Sequence, residues 1–283
     1  MSPSLWARLL LAAVVVTGAL ALWALWLEPS SLRVVHYRLN LPRWPAACSG
    51  LSVAVISDLH VGSPFNGVAK LERIVAETQT AKPDLVLLAG DFVIQGVRGG
   101  QFVTPEVTSA KLSALKAPLG VFAVLGNHDW WLDGPRVRRA FETTQIPVLE
   151  NRAVELRRGD CTFWLAGIGD FWEGAPDVDG TLASVPPDAA VLVLTHNPDI
   201  FPDVPDRVAL TVAGHTHGGQ VRVPLVGRPI VPSTYGERFA IGTVVEGGRH
   251  LFVTPGVGTS ILPVRFLVPP EISLLTLRRE TGG

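Results

Sequence analysis

The sequence predicts an α/β protein preceded by one membrane-crossing helix, and three observations carry that expectation. Nineteen residues from Leu9 to Leu27, LLLAAVVVTGALALWALWL, contain no charge. Beyond them, near-continuous apolar runs alternate with helix-like stretches, the strand–helix–strand signature of α/β folds. Past Gly214 the texture changes to short runs punctuated by glycine and proline, so the second half reads as β-rich.

A helix of about 20 apolar residues spans a bilayer because its backbone groups are satisfied internally. Trp6, Trp23 and Trp26 stand near the ends of the apolar run, where indole rings favour the interface. A cleaved signal peptide has a shorter apolar region and a small-residue cleavage site; here Trp23, Trp26 and Leu27 crowd that position. The organisation expected is an anchor at 1–28, a connector at 29–50 and a catalytic domain at 51–277. Arg33, Arg38 and Arg43 outnumber Arg8 across the membrane segment, which favours a single-pass cell-membrane protein with its domain on the cytoplasmic side.

Of the 283 residues, 47% are hydrophobic and 17% charged, enough for a sizeable core and too ordered a composition for global disorder. A net charge of −1 argues against a protein that binds nucleic acid by bulk electrostatics. Cys48 and Cys161 match no metal-binding spacing and can pair only if the fold brings them together. They make no disulfide framework, and the redox compartment stays open.

Within the domain, LSVAVI stops at Ser57-Asp58, DLVLLAG at Asp91 and GVFAVLG at Asn127; TFWLAGIG, AVLVLTH and ALTVAGH repeat the pattern. Such runs read as strands buried on both faces. Residues 66–80 place Val68, Leu71, Ile74 and Val75 on one helical face. Asp133-Gly134-Pro135 opens another helix with a cap and a first-turn proline. A short strand is expected around 32–39, and VVEGGRHLFV reads as a hairpin with Gly247-Gly248 at its tip.

Ligands in open α/β sheets collect beyond the carboxyl ends of strands. Asp58 and His60, then Asp91, then Asn127 with His128 and Asp129, then His196, then His215 with His217, all occupy such ends. In extended chain, residues i and i+2 point the same way, so Asp58 and His60 can converge on one metal, and His215 and His217 can be shared between neighbouring ones. Carboxylate and imidazole donors together suit two divalent ions of the Mn, Fe or Zn type. Asp91 is the natural bridge between ions about 3.5–4 Å apart.

The order Asp-X-His, Gly-Asp, Gly-Asn-His-Asp, His, Gly-His-X-His resembles the calcineurin-like metallophosphoesterases over residues 51–277. The extended form Gly214-His215-Thr216-His217-Gly218-Gly219-Gln220 behind a membrane segment resembles the bacterial membrane-anchored branch, which includes proteins proposed to act as UDP-2,3-diacylglucosamine hydrolases in lipid A synthesis. The resemblance implies a four-layer αββα sandwich with the metals between the sheets. It implies that Asp58, His60, Asp91 and His217 hold one metal, and Asp91, Asn127, His196 and His215 the other, with manganese favoured. His128 would face the leaving group as general acid while a metal-activated hydroxide attacks a phosphodiester or pyrophosphate. Many relatives carry an aspartate three residues after Gly-Asp to orient that histidine; here the position is Ile94, followed by Gln95, leaving Asp129 or Asp170 to substitute.

The expected partners are therefore a lipid bilayer, through the helix, and a phosphorylated small-molecule or lipid-linked substrate. A protein or nucleotide phosphatase of the same fold, or a non-catalytic membrane scaffold, are the alternatives; a scaffold would be expected to lose His128 or several ligands. Trp130, Trp131, Phe171 and Trp172 form either an aromatic rim for a base or acyl chain or ordinary packing. ILPVRFLVPP, 261–270, reads as a buried edge segment or as a bilayer-facing one. Arg222 and Arg238 are candidate phosphate contacts, and His36 and His250 match no motif.

Overall fold

The computed structural model describes residues 4–280; residues 1–3 of the expected anchor lie outside the described residues, as do 281–283. The chain begins with α1 (Leu5–Leu22), which continues through a π-turn (Trp23–Leu27) into α2 (Glu28–Ser30). No residue of α1 is buried.

Two sheets follow. The first, in the order β1-β11-β2-β3-β4, contains β1 (Arg33–Leu41), β2 (Leu51–Ile56), β3 (Leu85–Ala89), β4 (Val121–Val124) and β11 (Glu271–Arg279). The second, in the order β5-β6-β7-β8-β10-β9, contains β5 (Arg152–Arg158), β6 (Cys161–Gly167), β7 (Val191–Leu194), β8 (Leu210–Ala213), β9 (Gly242–Glu246) and β10 (Arg249–Val253). The strands that carry the site run parallel, β2 with β3 and β3 with β4, β6 with β7 and β7 with β8. Their carboxyl ends therefore gather along one edge of each sheet.

Strand alternation builds the layers. Val53, Val55, Leu85 and Leu87 of the first sheet pack on Phe163, Leu165, Leu192, Leu194 and Val212 of the second, forming the central core. The intervening residues Ala54, Ile56, Val86 and Leu88 face outward onto Leu71 and Ile74 of α3 (Val68–Ala81) and Val137 and Phe141 of α5 (Asn127–Thr143). On the far side, Val191 and Val193 meet Val178 and Leu182 of α6 (Val178–Ala183). Helices outside and two sheets inside give the four layers that the sequence led us to expect. A short helix, α4 (Pro105–Leu112), packs beside α3 and α5.

Several local readings hold. Gly247 and Gly248, both at positive φ, close the β9–β10 hairpin in a two-residue turn. Asp133 breaks helical geometry inside α5 and caps the continuation by accepting from Arg136 N at 3.0 Å. Others differ. The short strand expected around 32–39 is present as β1, but its in-register pairing with β11, from Arg33↔Glu271 to Leu41↔Arg279, makes it part of the first sheet. The last strand does not join the β-rich second half; it returns between β1 and β2. Cys48 and Cys161, separated by 113 residues, form a disulfide between the two sheets, at the opposite end of β2 from Asp58.

Candidate metal centre

The site is assembled where the two sets of strand ends face each other. Three groups of side chains each bring one ligand atom per residue within 4.8 Å of the others: Asp58, His60 and His217; Asp91, His196 and His215; and His60, Asp91 and His128. All are buried except His128, which is partly exposed. Asn127 is buried beside them, and its Oδ1 has no hydrogen-bond partner among the described residues. The two histidines of Gly-His-X-His fall in different groups, His217 with Asp58 and His60, and His215 with Asp91 and His196.

The route to convergence is not strand alternation. Asp58 (φ 53°), His60 (φ 39°), Asp91 (φ 57°), His215 (φ 69°) and His217 (φ 51°) all adopt the left-handed region, which non-glycine residues seldom occupy. The chain thus leaves β2, β3 and β8 through turns at positive φ, whereas Asn127 and His196, after β4 and β7, need none. Such strain persists only where surrounding structure over-determines it, and it clusters at functional sites. Glycines make room. A Cβ on Gly126 would collide with the Asp91 carboxylate, and one on Gly90 (φ +87°) would lie 2.6 Å from Gly126 N and 2.8 Å from His196 Nδ1.

Hydrogen bonds decide what each ring nitrogen offers. His60 Nδ1 lies 3.1 Å from Val93 O, and His196 Nδ1 lies 2.7 Å from Ala89 O. A carbonyl only accepts, so both Nδ1 atoms carry hydrogen and Nε2 is left as the coordinating atom. His60 Nε2 faces Asp91 Oδ2 at 3.5 Å, and His196 Nε2 faces the same oxygen at 3.2 Å. Asp91 Oδ1 is occupied by His128 N–H at 2.9 Å. One carboxylate oxygen is thus flanked by two imidazole nitrogens, acceptor against acceptor unless a positive charge lies between them.

The protonation balance agrees. Burial pushes the Asp58 carboxyl up to about 7 and holds His60 and His215 down to about 3. Burial also opposes a charge on His196, but Asp91, Asp58 and Asp170 outweigh it and raise that imidazole to about 10. Despite its burial, Asp91 is held well below the usual carboxylate range by the imidazoles around it, His196 foremost, so the pocket favours negative charge on Asp91 with positive charge beside it. Orphaned Asn127 Oδ1 and His215 Nε2 point to the same conclusion: the residues present fit divalent metal ions, held through nitrogen and oxygen donors.

A family model for calcineurin-like phosphoesterases matches residues 51–219. The chain belongs to that family. It is 34% identical to phosphodiesterase YaeI of Escherichia coli over 88% of this chain and 90% of that one. It is 30% identical to the uncharacterized metallophosphoesterase YkuE of Bacillus subtilis, covering 90% and 89% of the two chains. It is 29% identical to UDP-2,3-diacylglucosamine pyrophosphatase LpxG of Chlamydia trachomatis, covering 94% of each. The protein is accordingly a metal-dependent phosphoester hydrolase of the calcineurin-like type.

Within this phosphoesterase, Asp129 does not orient His128. Its two oxygens accept from four backbone N–H groups, those of Asp91 (2.9 Å), Gly126 (3.0 Å), Phe92 (2.9 Å) and Val93 (3.2 Å). It braces the Gly-Asp loop against the start of α5. Asp170 is the remaining candidate: its Oδ2 accepts from Trp172 N and Glu173 N, while its buried Oδ1 has no partner, and its charge acts on His128. His128 Nδ1 is likewise buried without a partner.

The four aromatics divide. Trp131 lies edge-on to His128 at 4.8 Å and Trp172 edge-on to His215 at 4.4 Å, with the two indoles 6.4 Å apart and nearly parallel. These two form a rim over the site. Trp130 and Phe171 pack in the helix layers. Arg238 is engaged by Glu246 at 2.5 and 2.6 Å, which leaves it no free fork for phosphate.

Arg265 escaped sequence reading. It is fully buried, and its guanidinium donates to the carbonyls of Pro255, Gly256, Gly258 and Val268. Gly258 N in turn donates to Asp58 O at 2.7 Å. The signal was available: a lone charge inside the apolar run ILPVRFLVPP.

Proposed function

We propose that the protein is a membrane-anchored phosphodiesterase or pyrophosphatase with a dinuclear metal centre. The observation that carries this reading is the pair of imidazole nitrogens, His60 Nε2 and His196 Nε2, turned on one oxygen of Asp91. Asp58, His60, Asp91 and His217 would hold one ion; Asp91, Asn127, His196 and His215 the other, with Mn²⁺ the favoured metal. The ions supply Lewis-acid neutralisation of phosphoryl oxygens and a water acidified to near neutral pH.

The chain's own residues do the rest. Asp91, fixed through Oδ1 by the His128 N–H, keeps the two ligand sets in register. His128 reaches the cluster from the start of α5 and donates a proton to the departing oxygen. Trp131 and Trp172 wall off the outer side and offer flat apolar faces to the substrate beyond phosphorus.

An unburied apolar helix, Leu5–Ser30, with a mean hydropathy of 2.3 in its most apolar window, needs a cover, and a bilayer is the natural one. An amphiphilic, lipid-linked phosphodiester or pyrophosphate is therefore the proposed substrate class. UDP-2,3-diacylglucosamine, after which the LpxG relative is named, heads the panel. Orientation draws two opposed indications. The arginines favour a cytoplasmic domain, whereas the Cys48–Cys161 bond belongs to an oxidising compartment. The covalent bond weighs more here, because an arginine bias over one short tail is a weak orientation signal. A nucleotide-linked substrate must then be accessible from that side, so topology and substrate constrain each other.

The test is turnover by the purified full-length protein, with and without Mn²⁺, of a lipid-linked UDP sugar, nucleotide diesters, an aryl phosphodiester and a phosphopeptide. Metal-dependent cleavage of diesters or pyrophosphates supports the reading. Exclusive action on the phosphopeptide would replace it with a protein phosphatase.

A further inference from the structure

Three loops, after β2, after β8 and between β10 and β11, present large apolar side chains outward from turns at positive φ. Phe65 (φ 65°), Leu225 (φ 69°), Ile261 (φ 63°) and Leu267 (φ 58°) are all at positive φ, and all are exposed. For a β-branched residue such as Ile261 this backbone is unusual, and it leaves 72% of that residue in solvent; Leu262 and Leu267 are half exposed. Burying strain and apolar surface in the core would be ordinary. Holding both at the surface calls for a partner.

The partner is identified by where these turns sit. In the π-turn, Ala24 O would bond to the N–H of the residue five positions on, but that residue is Pro29, which has none. The freed carbonyl accepts from Arg265 N at 3.0 Å. One turn later the Glu28 carboxylate accepts from Leu267 N at 3.0 Å, Val268 N at 2.5 Å and the Trp23 indole. Lys70 of α3 donates to Pro29 O at 2.8 Å, and Trp26 packs on Phe65 with ring centroids 5.7 Å apart. The helix is clasped to the domain at the level where its apolar run ends. Ile261, Leu262 and Leu267 are held at that same level.

We propose that these turns form a second membrane contact, in which Phe65, Ile261, Leu262 and Leu267 insert at the headgroup–acyl boundary of the bilayer that the helix crosses. The inference rests on the anchor reading above and deepens it. Two exposed arginines complete the chemistry expected at a lipid surface. Arg98 N donates to Ile261 O at 3.2 Å and Arg222 N to Phe266 O at 2.8 Å, which places both chains beside the apolar tips, suited to anionic headgroups. The contact also reaches the chemistry. Arg265, one bond from the helix, ties the turn at Leu267 to Gly258, which bonds Asp58. The metal centre is thereby kept beside the lipid surface rather than on a flexible stalk.

The test uses the full chain reconstituted into vesicles of phosphatidylcholine and phosphatidylglycerol, with and without doxyl-labelled phosphatidylcholine. Both native cysteines are paired, so single cysteines introduced as Val15→Cys, Ile261→Cys, Leu267→Cys and Asp160→Cys can be tagged with an environment-sensitive fluorophore. Positions 15, 261 and 267 are expected to be quenched by the lipid nitroxide, and 160 to remain unquenched. Quenching at 15 with none at 261 and 267 overturns the contact while keeping the anchor. No quenching at 15 removes the anchor itself. Blue-shifted emission at 261 and 267 without lipid quenching would mean that a second copy of the chain covers the face, and also overturns the proposal.

Discussion

The two sheets contribute unlike halves to the metal cluster. The first supplies Asp58, His60, Asp91 and Asn127, every carboxylate and the amide; the second supplies imidazoles alone, His196, His215 and His217. The halves are also held differently. In the first, the Asp129 carboxylate gathers four backbone N–H groups and locks the Gly-Asp turn to α5. In the second, Asp199 accepts from Ser233 and Thr234, away from the cluster, and the imidazoles lean on the first: His196 Nδ1 on Ala89 O, while His215 N donates to Asp58 Oδ1 and Oδ2 at 3.1 Å each. The scaffold and the carboxylates belong to one sheet, and the second sets its imidazoles against them.

The largest effect should come from the one group both halves share. Asp91→Ala removes the oxygen faced by His60 and His196, and metal-dependent hydrolysis of an aryl phosphodiester should fall to background. Bound metal, measured by elemental analysis, should fall with it, while far-ultraviolet circular dichroism stays unchanged. Wild-type-like turnover in that variant would remove the shared-carboxylate mechanism.

Next is His128, which touches the cluster without lying between the halves. His128→Ala should retain metal and lose about 10²–10⁴ in rate on substrates with poor leaving groups, since a positioned acid contributes that much. Good leaving groups should be affected far less. A loss of equal size across leaving groups would mean that His128 serves as a ligand instead.

The comparison of the halves is sharpened by their apo stabilities. Asp129→Ala leaves four buried N–H donors without their acceptor, at about 1–3 kcal/mol for each that water cannot reach, so roughly 4 kcal/mol of stability should be lost. His215→Ala deletes a ring whose Nε2 is already without a partner, and the apo stability should change little. Urea midpoints in chelator-treated protein measure both. Equal losses would show that the first half is no more self-supporting than the second.

That asymmetry explains what could be read in advance. The clustered residues were legible because each stands where an apolar run gives way to polar residues, a pattern that needs no third dimension. Their backbone was not: alternation predicts extended chain at Asp58-X-His60, whereas both residues turn left-handed, a choice made by contacts from distant loops. Asp129 could be seen as one more carboxylate in Gly-Asn-His-Asp, but its work depends on Phe92 and Val93 lying across the turn. The return of β11 to the first sheet is a long-range pairing that local pattern does not encode, and although β1 was legible as a short strand, its place in that sheet depends on the same pairing. Arg265 was hidden for the converse reason, since a charge in an apolar run suggests an edge when it can equally satisfy carbonyls inside.

The smallest effect on catalysis should come from the covalent tie between the sheets. Cys48 precedes β2 and Cys161 begins β6, so the bond closes the end of the sandwich away from the metals. A cross-link of this kind acts mainly on the unfolded chain, and replacing both cysteines by serine should cost about 2–4 kcal/mol. The docking of His215 onto Asp58 is made at the opposite end and needs no such help, so turnover at moderate temperature should be unchanged. If the double serine variant loses rate as well as thermal stability, the halves are aligned by the disulfide and not by hydrogen bonds within the site. Non-reducing thiol labelling of the protein in cells adds the topological reading. Blocked cysteines place the domain on the oxidising side, and free thiols in the folded protein return it to the cytoplasm.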